Sequence, residues 1–314
     1  MHNGFAKELH RYGPDRPRET VGLADARSYC SRLTRTHYEN FTVASVLLPR
    51  CLLRHFHAIY AYCRWADDLA DECGGGAGAL RLLRWWREEL LACYQGEPRH
   101  PVMVALQETV RKFQIPPDPF LNLLFAFEQD QIVKRYQTYE QLLGYCRNSA
   151  NPVGHLVLYL CESYDDSNAR LSDHVCTALQ LANFWQDVAR DLDIDRVYIP
   201  EEDRIRCGYG EADLQARLYN PAFVQLMGFE VDRTRDLFYR GLPLLERVRA
   251  EIRPDIELFI RGGLALLRKI ERCRYNVLAA RPALAKWEKA ALLAGTLLRR
   301  LNGALFREPA ASAI

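Results

Sequence analysis

The absence of any sustained alternation of apolar and polar residues is the feature that most limits what this chain can fold into. A surface strand would need a period of two residues over several positions. Apolar residues instead recur with helical spacing, as at Phe120, Leu124 and Phe127, which occupy positions i, i+4 and i+7. The sequence therefore predicts an all-α protein whose helices end at proline- and glycine-containing turns.

The chain has 314 residues, and no linker rich in proline, glycine or serine divides it. We predict a single domain over residues 23–306, with a mobile polar arm over residues 1–22 and a frayed tail over residues 307–314. A domain of this size buries roughly three quarters of its unfolded surface, so it has enough apolar side chains to line an interior cavity.

Composition excludes several classes of function. Lys and Arg number 42 against 40 Asp and Glu, for a net charge of +2, and this balance argues against a nucleic-acid partner. The ten cysteines are scattered without a CxxC pair and follow no secretory signal, so we expect reduced thiols and no structural zinc. No apolar run reaches the 18 or so residues that cross a bilayer, which predicts a soluble or peripheral protein.

Two acidic patterns point to a function. Asn183, Asp187 and Asp191 recur at every fourth residue and share one helical face, and Asp67 and Asp71 repeat this spacing about 120 residues earlier. Like charges at i and i+4 repel by roughly 0.2–0.5 kcal/mol per pair in an isolated helix. The pattern predicts a compensating cation, although either cluster alone is equally consistent with a solvated helix face.

Magnesium is the cation that these oxygen ligands favour, because it takes one or two carboxylates and completes its coordination with water and phosphate oxygens. Arg64 accompanies the first cluster, and Arg190 and Arg196 accompany the second. Arginine binds phosphate oxygens in a bidentate manner. Together the residues predict metal-assisted departure of a diphosphate.

The DDxxD and NxxxDxxxD forms of these helices resemble the squalene and phytoene synthase family. Within the family, the segments HYENF, CRxADDLADE, NxxNPVG and NFWQDVxRDL are most similar to the bacterial hydroxysqualene synthases of hopanoid biosynthesis. In the segment 145–154, many members of the family resemble the pattern YxxxVAGxVG, whereas this chain has Asn148 and Asn151 there. The resemblance covers nearly the whole chain and is carried by residues 37–41, 47–49, 58–64, 145–154 and 195–200.

The resemblance implies an isoprenoid synthase fold, with antiparallel helices around a central active-site cavity. It implies two or three Mg²⁺ ions held by Asp67, Asp68, Asp71, Asp187 and Asp191. The implied substrate-binding residues are His37, Phe41, Arg64, Gln180, Asn183, Arg190, Arg196 and Tyr275, and Arg281 resembles a position that borders the cavity. Tyr60, Tyr145 and Tyr198 are expected to line the reacting end of the substrate.

By this resemblance we expect the enzyme to ionise presqualene diphosphate and release hydroxysqualene without NADPH. Asn148 or Asn151 would hold the water that captures the cation, since each amide needs polar partners in an apolar cavity. The alternative is that both satisfy backbone groups freed by Pro152. The chain carries no glycine-rich dinucleotide fingerprint after a strand, which is weak support for the absence of NADPH.

The expected partners are presqualene or farnesyl diphosphate, a presqualene diphosphate synthase and a hydroxysqualene reductase. We expect a cytoplasmic protein, with peripheral contact at the inner face of the membrane for product release as an open alternative. Two other functions also stay open. One is a synthase that condenses two farnesyl or geranylgeranyl diphosphates to presqualene diphosphate, dehydrosqualene, squalene or phytoene. The other is a non-catalytic, assembly-factor-like relative, which the intact acidic residues disfavour.

Overall fold

The computed structural model describes residues 4–15, 21–36 and 49–302, and over these ranges the chain is helical, as predicted. Extended pairing within them is limited to one isolated parallel bridge between Arg135 and Val197. In chain order the helices are α1 (Phe5–Tyr12), α2 (Leu23–Thr36), α3 (Arg50–Asp71), α4 (Gly76–Gln95), α5 (Pro101–Phe113), α6 (Asp118–Asp130), α7 (Tyr139–Ser149), α8 (Asn151–Leu160), α9 (Asp166–Asp193), α10 (Glu201–Arg206), α11 (Glu211–Gln215), α12 (Pro221–Gly241), α13 (Leu244–Arg247), α14 (Arg253–Arg272) and α15 (Lys286–Asn302).

Contacts between Cα atoms divide the chain into two compact units. The first comprises Met1–Val133 and Pro152–Tyr164, and the second comprises Lys134–Asn151 and Asp165–Ile314. Each unit carries one of the two acidic clusters. The single domain expected over residues 23–306 stays a prediction.

Helix α3 is the centre of the first unit. Its Trp65 is buried and stacks on Trp86 of α4 with ring centroids 5.3 Å apart. Its Tyr62 donates a hydrogen bond of 3.1 Å to the carbonyl oxygen of Phe120 in α6. The helix ends at Asp71 because glycines with φ angles of 83°, 69° and 61° follow at positions 74–76, a backbone region that favours glycine.

The amino-terminal segment differs from the mobile arm that the sequence predicts. Residues Phe5–Tyr12 form helix α1, and the ring of Phe5 packs edge-on against Trp65 with centroids 5.1 Å apart. Phe5 is buried by this contact. Tyr12 of the same helix lies edge-on to Tyr29 and His100, with ring centroids 5.2 Å and 5.6 Å away, so residues 5–12 form a packed helix within the predicted arm.

In the second unit, α9 packs along α12. The indole Nε1 of Trp185 donates a hydrogen bond of 2.8 Å to Thr234 Oγ1, and both side chains are fully buried. The two helices come close at Gly241, where a Cβ atom would collide with the side chain of Val175. This packing holds the acidic face of α9 in a defined orientation within its unit.

Local capping and a proline determine where α9 and α8 begin. Helix α9 begins at Asp166, because the side chain of Asp165 accepts a hydrogen bond of 2.8 Å from the backbone N–H of Asn168 and caps the helix there. The chain breaks at Ala150 between α7 and α8, and Pro152 lies in the first turn of α8, where a missing N–H costs nothing.

A buried ionic group joins α10 to α12. Arg233 Nη2 lies 2.7 Å from Asp203 Oδ2 and 2.6 Å from Glu230 Oε2, and both acids are almost completely buried. Burial raises the pKa of Glu230 to about 8, against the attraction of Arg233, and the charge of Asp203 adds to the rise. Glu230 therefore keeps its proton in the folded protein at pH values where an unfolded glutamate has lost it.

We expect Glu230→Gln to flatten the dependence of stability on pH. Because the folded pKa lies above the unfolded value of about 4.3, the free energy of unfolding of the natural protein should decrease as pH rises from about 4 to about 8. The variant has no proton to lose at this position. Urea unfolding at several pH values should show a smaller decrease for Glu230→Gln than for exposed Glu88→Gln, and equal decreases would contradict a protonated Glu230.

Candidate active site

The first acidic cluster lies at the carboxyl end of α3 and is organised by Arg64. The Arg64 guanidinium donates from Nε to Asp68 Oδ2 at 3.1 Å and also contacts Asp68 Oδ1 through Nη2, so that this pair is bidentate. Its Nη1 donates to Asp67 Oδ2 at 3.1 Å. Asp68 is 2% exposed, whereas Asp67 is half-buried and Asp71 is exposed.

This arrangement separates the roles of three acids that sequence reasoning grouped together. Burial raises the pKa of Asp68 to about 7, against the effect of the adjacent Arg64. Asp68 is the anchor that orients Arg64, while Asp67 and Asp71 present their carboxylates one helical turn apart on the more accessible side. Tyr60 is half-buried one turn before Arg64, and burial raises the pKa of its hydroxyl.

The second acidic cluster lies near the carboxyl end of α9. Arg281 contacts both carboxylate oxygens of Asp187, from Nε to Oδ1 and from Nη2 to Oδ2 at 2.9 Å. The same Nη2 donates to Gln186 Oε1 at 2.9 Å, and Gln186 Nε2 donates to the carbonyl oxygen of Pro282. A segment 94 residues away along the chain thus holds the Asp187 carboxylate in place.

Asp191 is half-buried one turn beyond Asp187. Burial raises its pKa to about 7, and the charge of Asp187 contributes to the rise despite nearby arginines. The repulsion that the i, i+4 spacing predicts is therefore present in the structure. Asp191 and Arg196 also line one small pocket, together with Phe184, Val188, Leu192, Val197, Tyr198, Ile199 and Leu214.

Four buried aromatic rings form a cluster beside this pocket. Tyr198 stacks on Phe184 with centroids 3.7 Å apart and planes 7° apart, and Tyr145 lies 5.9 Å from Tyr198. Tyr136 also stacks on Tyr198, with ring centroids 5.8 Å apart and planes 21° apart. The structure thus brings together two of the three predicted tyrosines, Tyr145 and Tyr198, in a wall of aromatic faces.

Sequence reasoning missed two members of this cluster. Phe184 had a detectable signal, because it precedes Asp187 by three residues and Asp191 by seven and therefore shares their helical face. Tyr136 had none, since it lies in an irregular segment between α6 and α7. It reaches the cluster because the backbone N–H of Val197 donates to the carbonyl oxygen of Lys134 at 2.9 Å.

A tight turn returns the chain from α9 to the aromatic cluster. Asp195 has a φ of 57°, and Arg135 donates to both its carbonyl oxygen and its Oδ1, each at 2.6 Å. The backbone N–H of Arg196 donates to the carbonyl oxygen of Asp191 at 2.8 Å. These bonds place Arg196 and Tyr198 next to Asp191 in the second unit.

Asn148 and Asn151 both bond within the protein. Asn148 Nδ2 donates to the carbonyl oxygen of Gly144 at 3.3 Å, and Asn151 Oδ1 accepts a hydrogen bond of 2.9 Å from Thr177 Oγ1. Asn151 is buried and Asn148 is half-buried. Each of these bonds uses one end of the amide, so the capacity of either side chain to hold a water molecule stays a prediction.

The remaining predicted residues differ in their surroundings. Gln180 is half-buried and Asn183 is exposed on α9, while exposed Arg190 lies 3.5 Å from Asp187. Tyr275 is half-buried in a left-handed backbone conformation with φ of 63°. Two predicted substrate contacts, His37 and Phe41, lie outside the described residues.

The fit of these acids to a metal ion can be judged from their chemistry. Over residues 4–15, 21–36 and 49–302, no three His, Cys, Asp or Glu side chains are already gathered at metal-binding distance. Asp187 and Asp191 nevertheless supply oxygen donors whose mutual repulsion a divalent cation would relieve. Asp67 and Asp71 have the same spacing on α3. In donor type and charge, both pairs fit Mg²⁺.

The part of the chain that the structure describes has no helix combining the length and the apolar character that crossing a membrane requires.

Comparisons with known proteins identify the family of this chain. Residues 34–288 match the squalene/phytoene synthase family. A hydroxysqualene synthase from Rhodopseudomonas palustris is 33% identical over 69% of this chain and 74% of its own length. A 15-cis-phytoene synthase from Synechococcus elongatus is 28% identical over 91% of this chain and 97% of its own length.

Solved structures show the same similarity. The crystal structure of squalene synthase HpnC from Alicyclobacillus acidocaldarius superposes with a TM-score of 0.79 at 42% identity, covering 82% of this chain and 97% of that one. A dehydrosqualene synthase structure at 23% identity has a TM-score of 0.80 and shares the fold. The match over residues 34–288 spans both acidic clusters and the aromatic cluster, and on this ground the chain belongs to the squalene/phytoene synthase family.

Proposed function

We propose that this protein is a hydroxysqualene synthase, which ionises presqualene diphosphate and lets water capture the rearranged cation to give hydroxysqualene and diphosphate. The observation that carries the proposed product is the 33% identity to the hydroxysqualene synthase of Rhodopseudomonas palustris over 69% of this chain. The 42% identity to the squalene synthase HpnC over 82% of the chain supports an enzyme of the squalene branch.

In this proposal the carboxylates of Asp67, Asp71, Asp187 and Asp191 bind Mg²⁺. The bound ions would neutralise the diphosphate as it leaves. Asp68 orients the Arg64 guanidinium, and Arg281 together with Gln186 orients Asp187. Each group is thus held by a neighbour within its own unit, which limits the reorganisation needed when a diphosphate binds.

The stacked rings of Phe184 and Tyr198 support the handling of a carbocation. An aromatic face attracts a cation by roughly 0.5–2 kcal/mol, and a wall of buried rings keeps water away from most of the reacting chain. Tyr145 and Tyr136 extend this wall. We propose that water reaches the cation only where a polar side chain interrupts such a wall.

A condensing synthase is the second candidate. The phytoene synthases of Synechococcus elongatus and Thermus thermophilus are 28% and 31% identical to this chain and cover 91% and 83% of it. Such an enzyme would use the same acids on two prenyl diphosphates. The two candidates differ in substrate, so a direct assay separates them.

The test is to incubate the purified protein and Mg²⁺ with presqualene diphosphate in oxygen-18 water and to identify products by mass spectrometry. We expect hydroxysqualene that carries the label in its hydroxyl group, without added NADPH. Parallel incubations contain farnesyl or geranylgeranyl diphosphate. Squalene formed only with NADPH, presqualene diphosphate as the sole product from farnesyl diphosphate, or phytoene from geranylgeranyl diphosphate would overturn the product assignment.

A prediction about water follows from the two asparagines. Asn148→Leu and Asn151→Leu should raise the share of dehydrated hydrocarbon among the products, because leucine removes the polar end that would hold the capturing water. Gas chromatography of the products from presqualene diphosphate measures this ratio. The matched control is Asn122→Leu, which changes an exposed asparagine on α6. If neither site variant alters the ratio, both asparagines act only through their bonds to Gly144 and Thr177.

A further inference from the structure

Helix α15 carries an apolar face that points away from the protein. Trp287 is 73% exposed and Leu298 is 60% exposed. The exposed residues follow Trp287 at steps of three, four, seven, ten and eleven residues, which places them on one helical face. This outer face consists of Trp287, Ala290, Ala291, Ala294, Leu297 and Leu298.

Polar contacts join the opposite side of α15 to α14. Arg261 Nη1 donates to buried Thr296 Oγ1 at 2.7 Å, and the two ion pairs Lys269–Glu288 and Arg299–Glu257 measure 2.6 Å and 2.7 Å. A surface helix ordinarily turns its apolar stripe inward. Leu292 and Leu293 are half-buried on the inner side, yet Trp287, Leu297 and Leu298 stay exposed on the outer face.

The charges of α15 identify the partner that suits this face. Residues 286–299 carry three basic side chains and one acidic one, for a net charge of +2. Lys286 and Lys289 are exposed in the first turn, whereas Glu288 is paired with Lys269. An anionic surface complements these charges, and a second copy of α15 would meet the same charge.

We propose that the outer face of α15 binds an anionic lipid surface, lying in the headgroup region with its axis along the membrane plane. An apolar helical face with tryptophan and leucine, flanked by lysine, is the pattern that binds in this way. Each lysine near such a surface adds electrostatic attraction. The proposal is independent of the enzyme's product, although the product proposed above is a long hydrocarbon alcohol that would partition into the same lipid.

Flotation of the full-length protein with lipid vesicles tests the proposal. The natural protein should bind vesicles of phosphatidylcholine and phosphatidylglycerol and bind phosphatidylcholine alone more weakly. Leu298→Ser should weaken binding about 5- to 10-fold, since it removes apolar surface that would enter the lipid. Ile205→Ser is the matched control, because Ile205 is 68% exposed but lies on α10, and its binding should equal that of the natural protein.

Tryptophan fluorescence provides a second readout. Trp65, Trp86 and Trp185 are almost completely buried and Trp85 is half-buried, so that Trp287 is the most exposed indole of the chain. Vesicles that contain brominated lipid should quench the emission of the natural protein, and Trp287→Phe should remove most of this quenching. Circular dichroism would show that each variant keeps its helices.

Three outcomes would overturn the proposal. The first is no binding to anionic vesicles. The second is binding that Leu298→Ser leaves unchanged. The third is a concentration-dependent dimer, detected by sedimentation, that Leu298→Ser abolishes, since it would make a second copy the partner. None of these results depends on enzyme activity, so they leave the proposed reaction to its own test.

Discussion

Replacing Asp187 or Asp191 with Asn should lower turnover about 100- to 1000-fold at limiting Mg²⁺, the range that follows loss of one preorganised electrostatic group in an active site. Asparagine keeps the shape of the side chain but removes the negative charge that a hard divalent cation requires. Steady-state rates with presqualene diphosphate at several Mg²⁺ concentrations provide the measurement. Calorimetric titration of Mg²⁺ should show weaker binding to both variants.

The matched control for this pair is Asp193→Asn. Asp193 lies on the same helix but is exposed and pairs with Arg217 rather than with a member of the acidic row. It should keep the natural turnover and Mg²⁺ dependence. Near-natural rates for Asp187→Asn and Asp191→Asn at limiting Mg²⁺ would count heavily against the assignment of these acids as metal ligands.

Replacing Arg64 with Met should destabilise the protein by about 3–5 kcal/mol at pH 8, because it leaves the buried carboxylate of Asp68 without its bidentate partner. The loss should be smaller at pH 5. Burial already raises the pKa of Asp68 to about 7, and removal of Arg64 raises it further, so the carboxyl takes up a proton as the pH falls. Urea unfolding at the two pH values measures both effects.

Two further variants show whether the loss of stability in Arg64→Met comes from the unpaired buried charge of Asp68 or merely from the loss of an ion pair. Arg240→Met breaks an exposed pair with Asp236 and should cost at most about 0.5 kcal/mol. In Arg64→Met with Asp68→Asn, the charge that needed a partner is gone, so much of the lost stability should return. No recovery in the double variant would show that Arg64 acts through its packing and not through Asp68.

Arg64→Lys isolates the geometry of the guanidinium. Lysine keeps the charge but cannot bond both oxygens of Asp68 or of a phosphate in the same planar arrangement. We expect lower catalytic efficiency with stability closer to natural than in Arg64→Met. An unchanged kcat/KM would assign Arg64 a structural role only.

Much of the site could be predicted from local spacing. The rows Asp67–Asp71 and Asp187–Asp191 follow directly from the helical period, and the structure retains both on helices. Burial is the larger cause of the raised pKa of Asp191, and the charge of Asp187 in the same row adds to it. Phe184 shares that face and could have been identified by the same reasoning.

What the sequence by itself determined is the set of properties that depend on neighbours within about two turns: the all-α class, the helix ends at the glycines after Asp71, and the faces that carry the acids. Only the tertiary structure decided that Asp68 is buried while Asp71 is exposed, that Arg281 binds Asp187 across 94 positions of the chain, and that Tyr136 joins Tyr198. It also decided that the apolar face of α15 points outward, against the expectation from periodicity. The reason is physical: helical spacing states which residues share a face, but burial, and with it the pKa of an acid and the partner of an arginine, depends on which distant segment packs against that face.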